Sequence, residues 1–174
     1  MHTQLVVVGG GPGGYAAAFL AADEGMNVVL VEAEGRLGGT CLLRGCIPSK
    51  ALLHVARVVS EAEEMKADWG VSFGEPKIEI DKLRDRKNKV ISNLTGGLGG
   101  LAKKRKITVV KAFAKFVDAN TISLEGDDDS IPAGKQITFD NAIIATGSVP
   151  AMPCLLYTSP SPRDLSTSRM PSSA

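Results

Sequence analysis

Within its first 32 residues the chain runs through an apolar, β-branched stretch, a glycine turn, an alanine-rich stretch and a second β-branched stretch. No other feature limits its fold so tightly. Leu5–Val8 suits a buried parallel strand, and Gly9-Gly-Gly-Pro-Gly-Gly14 forms the turn. Tyr15–Glu24 favours helix and Gly25 closes it, after which Asn27–Val31 is a second buried strand ending at Glu32. The spacing predicts a βαβ unit. Gly9, Gly11 and Gly14 fit G-x-G-x-x-G, with Gly13 inside the motif. Alone the motif is weak, because 19 of 174 residues are glycine. The strand before it, the helix after it and the acid at the end of the next strand give it meaning. Gly9 permits the turn, Gly11 admits a pyrophosphate to the backbone, and Gly14 lets helix and strand approach. The helix N-terminus offers N–H groups to phosphates. Glu32 is placed to accept ribose hydroxyls, and an acid there disfavours a 2′-phosphate. A glycine turn in an ordinary α/β protein is the competing reading, and the motif does not distinguish one dinucleotide from another.

The second informative segment is Gly38-Gly-Thr-Cys-Leu-Leu-Arg-Gly-Cys-Ile-Pro-Ser-Lys50. Four residues separate Cys41 from Cys46, enough for the chain to bend back and close a small disulfide ring. Pro48 suits the first turn of a helix, so Cys46 is expected just ahead of a helix N-terminus, where the dipole and free N–H groups favour a thiolate. Arg44 and Lys50 are expected to add positive potential, and such a dithiol suits disulfide exchange. A zinc site, two inert thiols and a structural disulfide compete with this reading. A zinc site would have only His2 and His54 to complete it, so no metal is expected.

Beyond the cysteines, Leu52, Val55, Val59 and Ala62 repeat at helical spacing up to about Met65, and Trp69–Pro76 has turn character. A longer helix is marked by Ile80, Leu83, Val90, Ile91, Leu94, Leu98 and Leu101. Gly96-Gly97 and Gly99-Gly100 interrupt it, read as close backbone packing or a kink, with a flexible break as the alternative. Strands are expected at Ile107–Val110, Ala112–Val117, Thr121–Leu124, Gln136–Phe139 and Ala142–Ala145, with Asp127–Asp129 a solvated loop. Lys103–Lys106 reads as a solvated helix end rather than a basic signal.

From Cys154 periodicity gives way to a stretch rich in serine and proline. Back-translated, Cys154–Asp164 and Ser168–Ala174 resemble a transposase-type sequencing adapter read in frame, with Leu165–Thr167 across its variable index. Residues 154–174 are therefore expected to be a non-native, disordered tail, and residues 1–153 an incomplete domain of a longer protein. The rest of the composition is ordinary: 44% hydrophobic, 22% charged, net charge +1. Near-neutrality gives no reason to expect a nucleic-acid partner, and no apolar stretch reaches the roughly 20 residues that span a bilayer. With no signal peptide evident, the cytoplasm is the expected location.

The cysteine segment is similar to the signature of the class I pyridine nucleotide–disulfide oxidoreductases. Gly45–His54 most resembles the members that oxidise dihydrolipoamide, as do Phe73-Gly-Glu-Pro and Leu94-Thr-Gly-Gly-Leu. Asp140–Ser148 resembles the strand and loop that close over FAD. The mercuric-ion reductases, usually with Val-Pro for Ile47-Pro48, are the nearest competitor within the family. A stand-alone nucleotide-binding module with a regulatory thiol pair is the alternative outside it. The resemblance implies an α/β, Rossmann-like FAD-binding domain, with a parallel sheet, helices and a small antiparallel β-meander, truncated here. It implies FAD along Gly9–Gly14, its ribose at Glu32, Gly39, Thr40 and Lys50 near the flavin end, the backbone near Ala114 at the adenine, and Thr146 and Gly147 over the cofactor. Cys46 would lie against the flavin and Cys41 would exchange with dihydrolipoamide on a carrier or acyltransferase subunit, with NAD the final acceptor. The NAD site, a later FAD-binding aspartate and a homodimer interface are implied to follow residue 153. The 174-residue chain is accordingly expected to fold poorly, bind FAD weakly if at all, and turn over nothing.

Overall fold

The computed structural model describes residues 1–149. The proposed tail at 154–174 and the domain boundary at 153 lie outside the described residues. The elements run β1 (His2–Val8), α1 (Pro12–Asp23), β2 (Val28–Val31), α2 (Gly39–Leu43), α3 (Cys46–Trp69) and α4 (Ile80–Lys104). Four strands follow: β3 (Thr108–Val110), β4 (Phe113–Asp118), β5 (Thr121–Glu125) and β6 (Gln136–Ile144). One six-stranded sheet forms in the order β3-β2-β1-β6-β5-β4. β3, β2, β1 and β6 are parallel; β6, β5 and β4 are antiparallel. The expected α/β architecture with a meander is present.

Continuous apolar runs make the central strands because both sheet faces are covered. Val6, Val29, Val31 and Val110 point to one side, where Ile122, Leu124, Ile137 and Phe139 complete a core. Leu5, Val7, Val28 and Leu30 point to the other, against Ala18 of α1 and Ala102 of α4. The end of α4 is fastened to α1 by Arg105, which pairs with Asp23 at 2.9 Å and lies over the Phe19 ring at 4.9 Å.

Several local expectations are corrected. α1 begins at Pro12 rather than Tyr15, because Gly11 takes the cap position and Pro12 fits the first turn. The segment with Cys41 forms a short helix, α2; α3 starts at Cys46 itself, two residues before Pro48, and continues past Met65 to Trp69. Gln136–Phe139 and Ala142–Ala145 are not two strands. All but Ala145 fall on the single strand β6, whose first half pairs with both β5 and β1 and whose second half pairs with β1 alone. Polar Asp140 and Asn141 looked like a break, but β1 supplies backbone partners across them.

The glycines of α4 are neither a packing contact nor a break. The helix is continuous from Ile80 to Lys104, and a Cβ at Gly96, Gly97, Gly99 or Gly100 would meet nothing within 4 Å. Alanine at Gly97 or Gly100 should therefore stabilise the fold by about 0.5–1 kcal/mol each, by removing unfolded-chain entropy without a clash. Thermal melts check this; a lowered midpoint would mean that these glycines contact something else. Helices α3 and α4 pack on each other yet remain largely exposed: Pro48 is the only buried residue of α3, and Leu52, Val55 and Trp69 face outward. No helix among the described residues is long and apolar enough to cross a membrane.

Candidate functional site

The turn between β1 and α1 is built around close backbone contacts. Gly9 has φ +106°, a conformation that disfavours side chains, and a Cβ there would overlap the Ala145 carbonyl. A Cβ at Gly14 would overlap the carbonyl of Gly9, so the first turn of α1 rests directly on the strand end. Gly39 approaches the same point from α2: a Cβ on it would lie 2.6 Å from the Gly11 Cα. Gly13 is exposed and looks into open space. The cap of α1 carries no side-chain hydrogen bond, and Gly11 and Gly13 add no side chain to this end of the helix. Such a surface suits a phosphate.

Glu32 is drawn into the same structure. Its carboxylate accepts the Gly10 N–H at 2.6 Å and the Glu34 N–H at 2.9 Å. The Gly10 carbonyl in turn accepts the Gly38 N–H at 2.8 Å. Gly10, Glu34 and Gly38 were not singled out by sequence reasoning. Gly10 is a variable position of the motif, and only the fold shows that its N–H and C=O join the loops before α1 and α2.

The thiols meet at the junction of α2 and α3. Cys41 is half-buried and Cys46 is exposed; both are free. A hydrogen bond with Cys46 holds the Cys41 thiol above its ordinary pKa, burial adds to this, and the Lys50 ammonium pulls it down. The Arg44 guanidinium, between the two thiols in sequence, pairs with Glu34 at 2.7 Å. A thiol with a raised pKa holds less thiolate at a given pH, and the thiolate is the nucleophile. Alkylation of Cys41 by iodoacetamide should thus have its rate midpoint above that of an ordinary cysteine. Cys46→Ala removes the largest cause and should move the midpoint to lower pH, as read by peptide mapping. An unmoved midpoint would contradict the thiol–thiol contact.

The remaining predicted positions are spread around these two centres. Thr40 lies exposed in the first turn of α2, and its carbonyl accepts the Arg44 N–H at 2.9 Å. Lys50 is exposed on the first turn of α3. Ala145 donates its N–H to Val8, which places Thr146 and Gly147, both exposed, directly after the contact with Gly9. Ala114 sits on β4 opposite Leu124, half-buried against the core that contains Val31 and Val110. His54 is exposed on α3, and no group of three or more His, Cys, Asp or Glu able to hold a metal occurs among the described residues.

A glycine-lined helix end on a parallel sheet, with an acid just past the next strand and two free thiols at the α2–α3 junction, is an arrangement suited to a dinucleotide and to thiol–disulfide exchange. The chain matches the pyridine nucleotide-disulphide oxidoreductase family over residues 3–161, and it belongs to that family. It is 53% identical to the dihydrolipoyl dehydrogenase of Vibrio cholerae over 151 residues, 86% of this chain and 30% of the relative. The corresponding enzyme of Buchnera aphidicola subsp. Acyrthosiphon pisum is 47% identical over 150 residues, 86% of this chain and 31% of the relative. The mitochondrial dihydrolipoyl dehydrogenase of Pisum sativum is 46% identical over 150 residues, 84% of this chain and 29% of the relative. The chain thus spans about 30% of the length of the curated relatives it matches.

Proposed function

We propose that this chain is the flavin- and thiol-bearing part of an enzyme that oxidises dihydrolipoamide with NAD. The observation that carries the reading is the pair of free thiols, Cys41 on α2 and Cys46 at the start of α3, beside a glycine-lined helix end. The residues fit FAD: Gly11, Gly13 and Gly39 leave only backbone for a pyrophosphate, and the carboxylate of Glu32 stands at the end of β2 for the ribose. Thr40 and Lys50 would line the flavin end, Thr146 and Gly147 would close over the cofactor, and the backbone near Ala114 would face the adenine. The exposure of Cys46 leaves a face free for a flat ring, and Cys41 would be the exchanging thiol once that face is covered.

In the oxidised protein a dihydrolipoamide thiolate attacks the Cys41 sulfur, the Cys41–Cys46 bond breaks, and Cys46 leaves as thiolate. The second substrate thiol then displaces Cys41, closing the lipoamide disulfide and leaving the protein as a dithiol with the electron pair. Lys50 supplies the positive charge that steadies the thiolates. Bound FAD would accept that electron pair and pass it to NAD. The same reading includes a dimer of the whole protein, a lipoyl-bearing carrier or acyltransferase as partner, a cytoplasmic location and a native sequence that departs from this one after residue 153.

Sequencing the source gene through the codon for residue 153 tests this. A second G-x-G-x-x-G and a later His-x-x-x-x-Glu are expected, with the 174-residue product taking up substoichiometric FAD and showing no dihydrolipoamide–NAD turnover. A natural stop codon near residue 153 would instead favour a small nucleotide-binding module with a regulatory thiol pair.

A further inference from the structure

Arg44 lies between the two cysteines, yet its charge is spent elsewhere. It caps α2 with its own N–H on the Thr40 carbonyl at 2.9 Å and extends its guanidinium to Glu34 at 2.7 Å. Glu34 is itself held, because its N–H donates to the Glu32 carboxylate at 2.9 Å. The other oxygen of Glu32 takes the Gly10 N–H, and the Gly10 carbonyl takes the Gly38 N–H just ahead of α2. Helix α2 is thus fastened at both ends to the glycine loop: through Gly38 at its start and through the Glu34–Arg44 pair at its finish, where the turn to α3 begins.

We propose that Arg44 is a positioning residue that, through Glu34 and Glu32, straps the α2–α3 turn to the glycine loop and holds the Cys41 and Cys46 sulfurs within reach of each other. The proposal rests on the reading of Cys41 and Cys46 as a redox pair. Holding the turn lowers the entropy lost on closing the ring and so favours the disulfide. The pair is surface-exposed on the arginine side, so its effect is that of a single well-formed ion pair and fades with salt. Both side chains can be changed without disturbing the backbone links, since Glu34 reaches Glu32 through its N–H and Arg44 reaches Thr40 the same way.

The test is a thiol–disulfide equilibrium in glutathione buffers, with no flavin, NAD or lipoamide. One sulfur–sulfur bond forms between Cys41 and Cys46 as the bond of oxidised glutathione breaks. The protein gives up two electrons and two protons, which appear as two glutathione thiols. In the 174-residue chain, Arg44→Met and Glu34→Gln should each shift the equilibrium toward the dithiol by about two- to fivefold at low salt. The charge-swapped double variant Glu34→Arg/Arg44→Glu should restore the parent value, and about 1 M salt should erase the differences. Single variants equal to the parent, or a swap that fails to restore, would overturn the strap. A parent equilibrium equal to that of the urea-unfolded chain would overturn it too, since the fold would then not be holding the thiols. If no Cys41–Cys46 disulfide forms in any buffer, the redox reading falls along with the strap.

Discussion

Replacing Gly14 by alanine should cost about 3 kcal/mol of stability and remove dinucleotide binding together with it. The methyl group would be built into the carbonyl oxygen of Gly9, a backbone atom that cannot rotate away. Gly9 cannot retreat either: its N–H is bonded to the Val31 carbonyl at 2.8 Å, and Ala145 lies against its Cα. Helix α1 would have to lift from the strand end, separating Gly11 from Gly39 and parting Ala18 from the core it enters with Leu5, Val7 and Leu30. Denaturant titration gives the stability change, and flavin fluorescence titration gives the binding. Alanine at Gly13, where nothing lies within 4 Å, is the control for stability: it should leave the denaturant midpoint within about 0.5 kcal/mol of the parent. Equal losses at both positions would show that helix position, not the Gly9 contact, governs the motif.

The second large effect concerns the thiols. If the proposed reading holds, Cys41→Ser in the full-length protein should reduce dihydrolipoamide oxidation to the uncatalysed background while the bound-flavin spectrum remains. A hydroxyl can neither form nor resolve the mixed disulfide, so the electron pair has no route from substrate to protein. Cofactor retention is expected because Cys41 is half-buried on α2 and the contacts of the glycine loop run through Gly38 and Gly39. Turnover that survives the substitution would place the exchange chemistry elsewhere. Loss of flavin together with activity would make Cys41 a structural residue.

Much of this was visible in the sequence where the deciding interactions are local. The glycine spacing, the acid just after β2 and the five-residue offset of the cysteines are all set within short stretches, and so is the buried character of Leu5–Val8 and Val28–Val31. The elements misread are those whose limits depend on distant partners. Asp140 and Asn141 suggested a break between strands because their polarity is a local signal, but β1, more than 130 residues away in the chain, carries the ladder through them. The pairing of Arg44 with Glu34, which arrives from another loop, has no local signal in the sequence either. The α4 glycines suggested contact or a hinge, and only the positions of neighbouring elements show that their sides are open.

By itself the sequence determined the class of fold and brought the glycine turn and the two cysteines forward as candidates, because each depends on residue type and spacing over fewer than about 30 positions. The tertiary structure alone decided that Glu32 locks Gly10 and Glu34 together and that Gly14 rests on the Gly9 carbonyl. It also decided that Arg44 pairs with Glu34. Those outcomes turn on distances of a few ångströms between segments remote in sequence. They become fixed only when the two faces of the sheet are packed and the loops at its end are brought together.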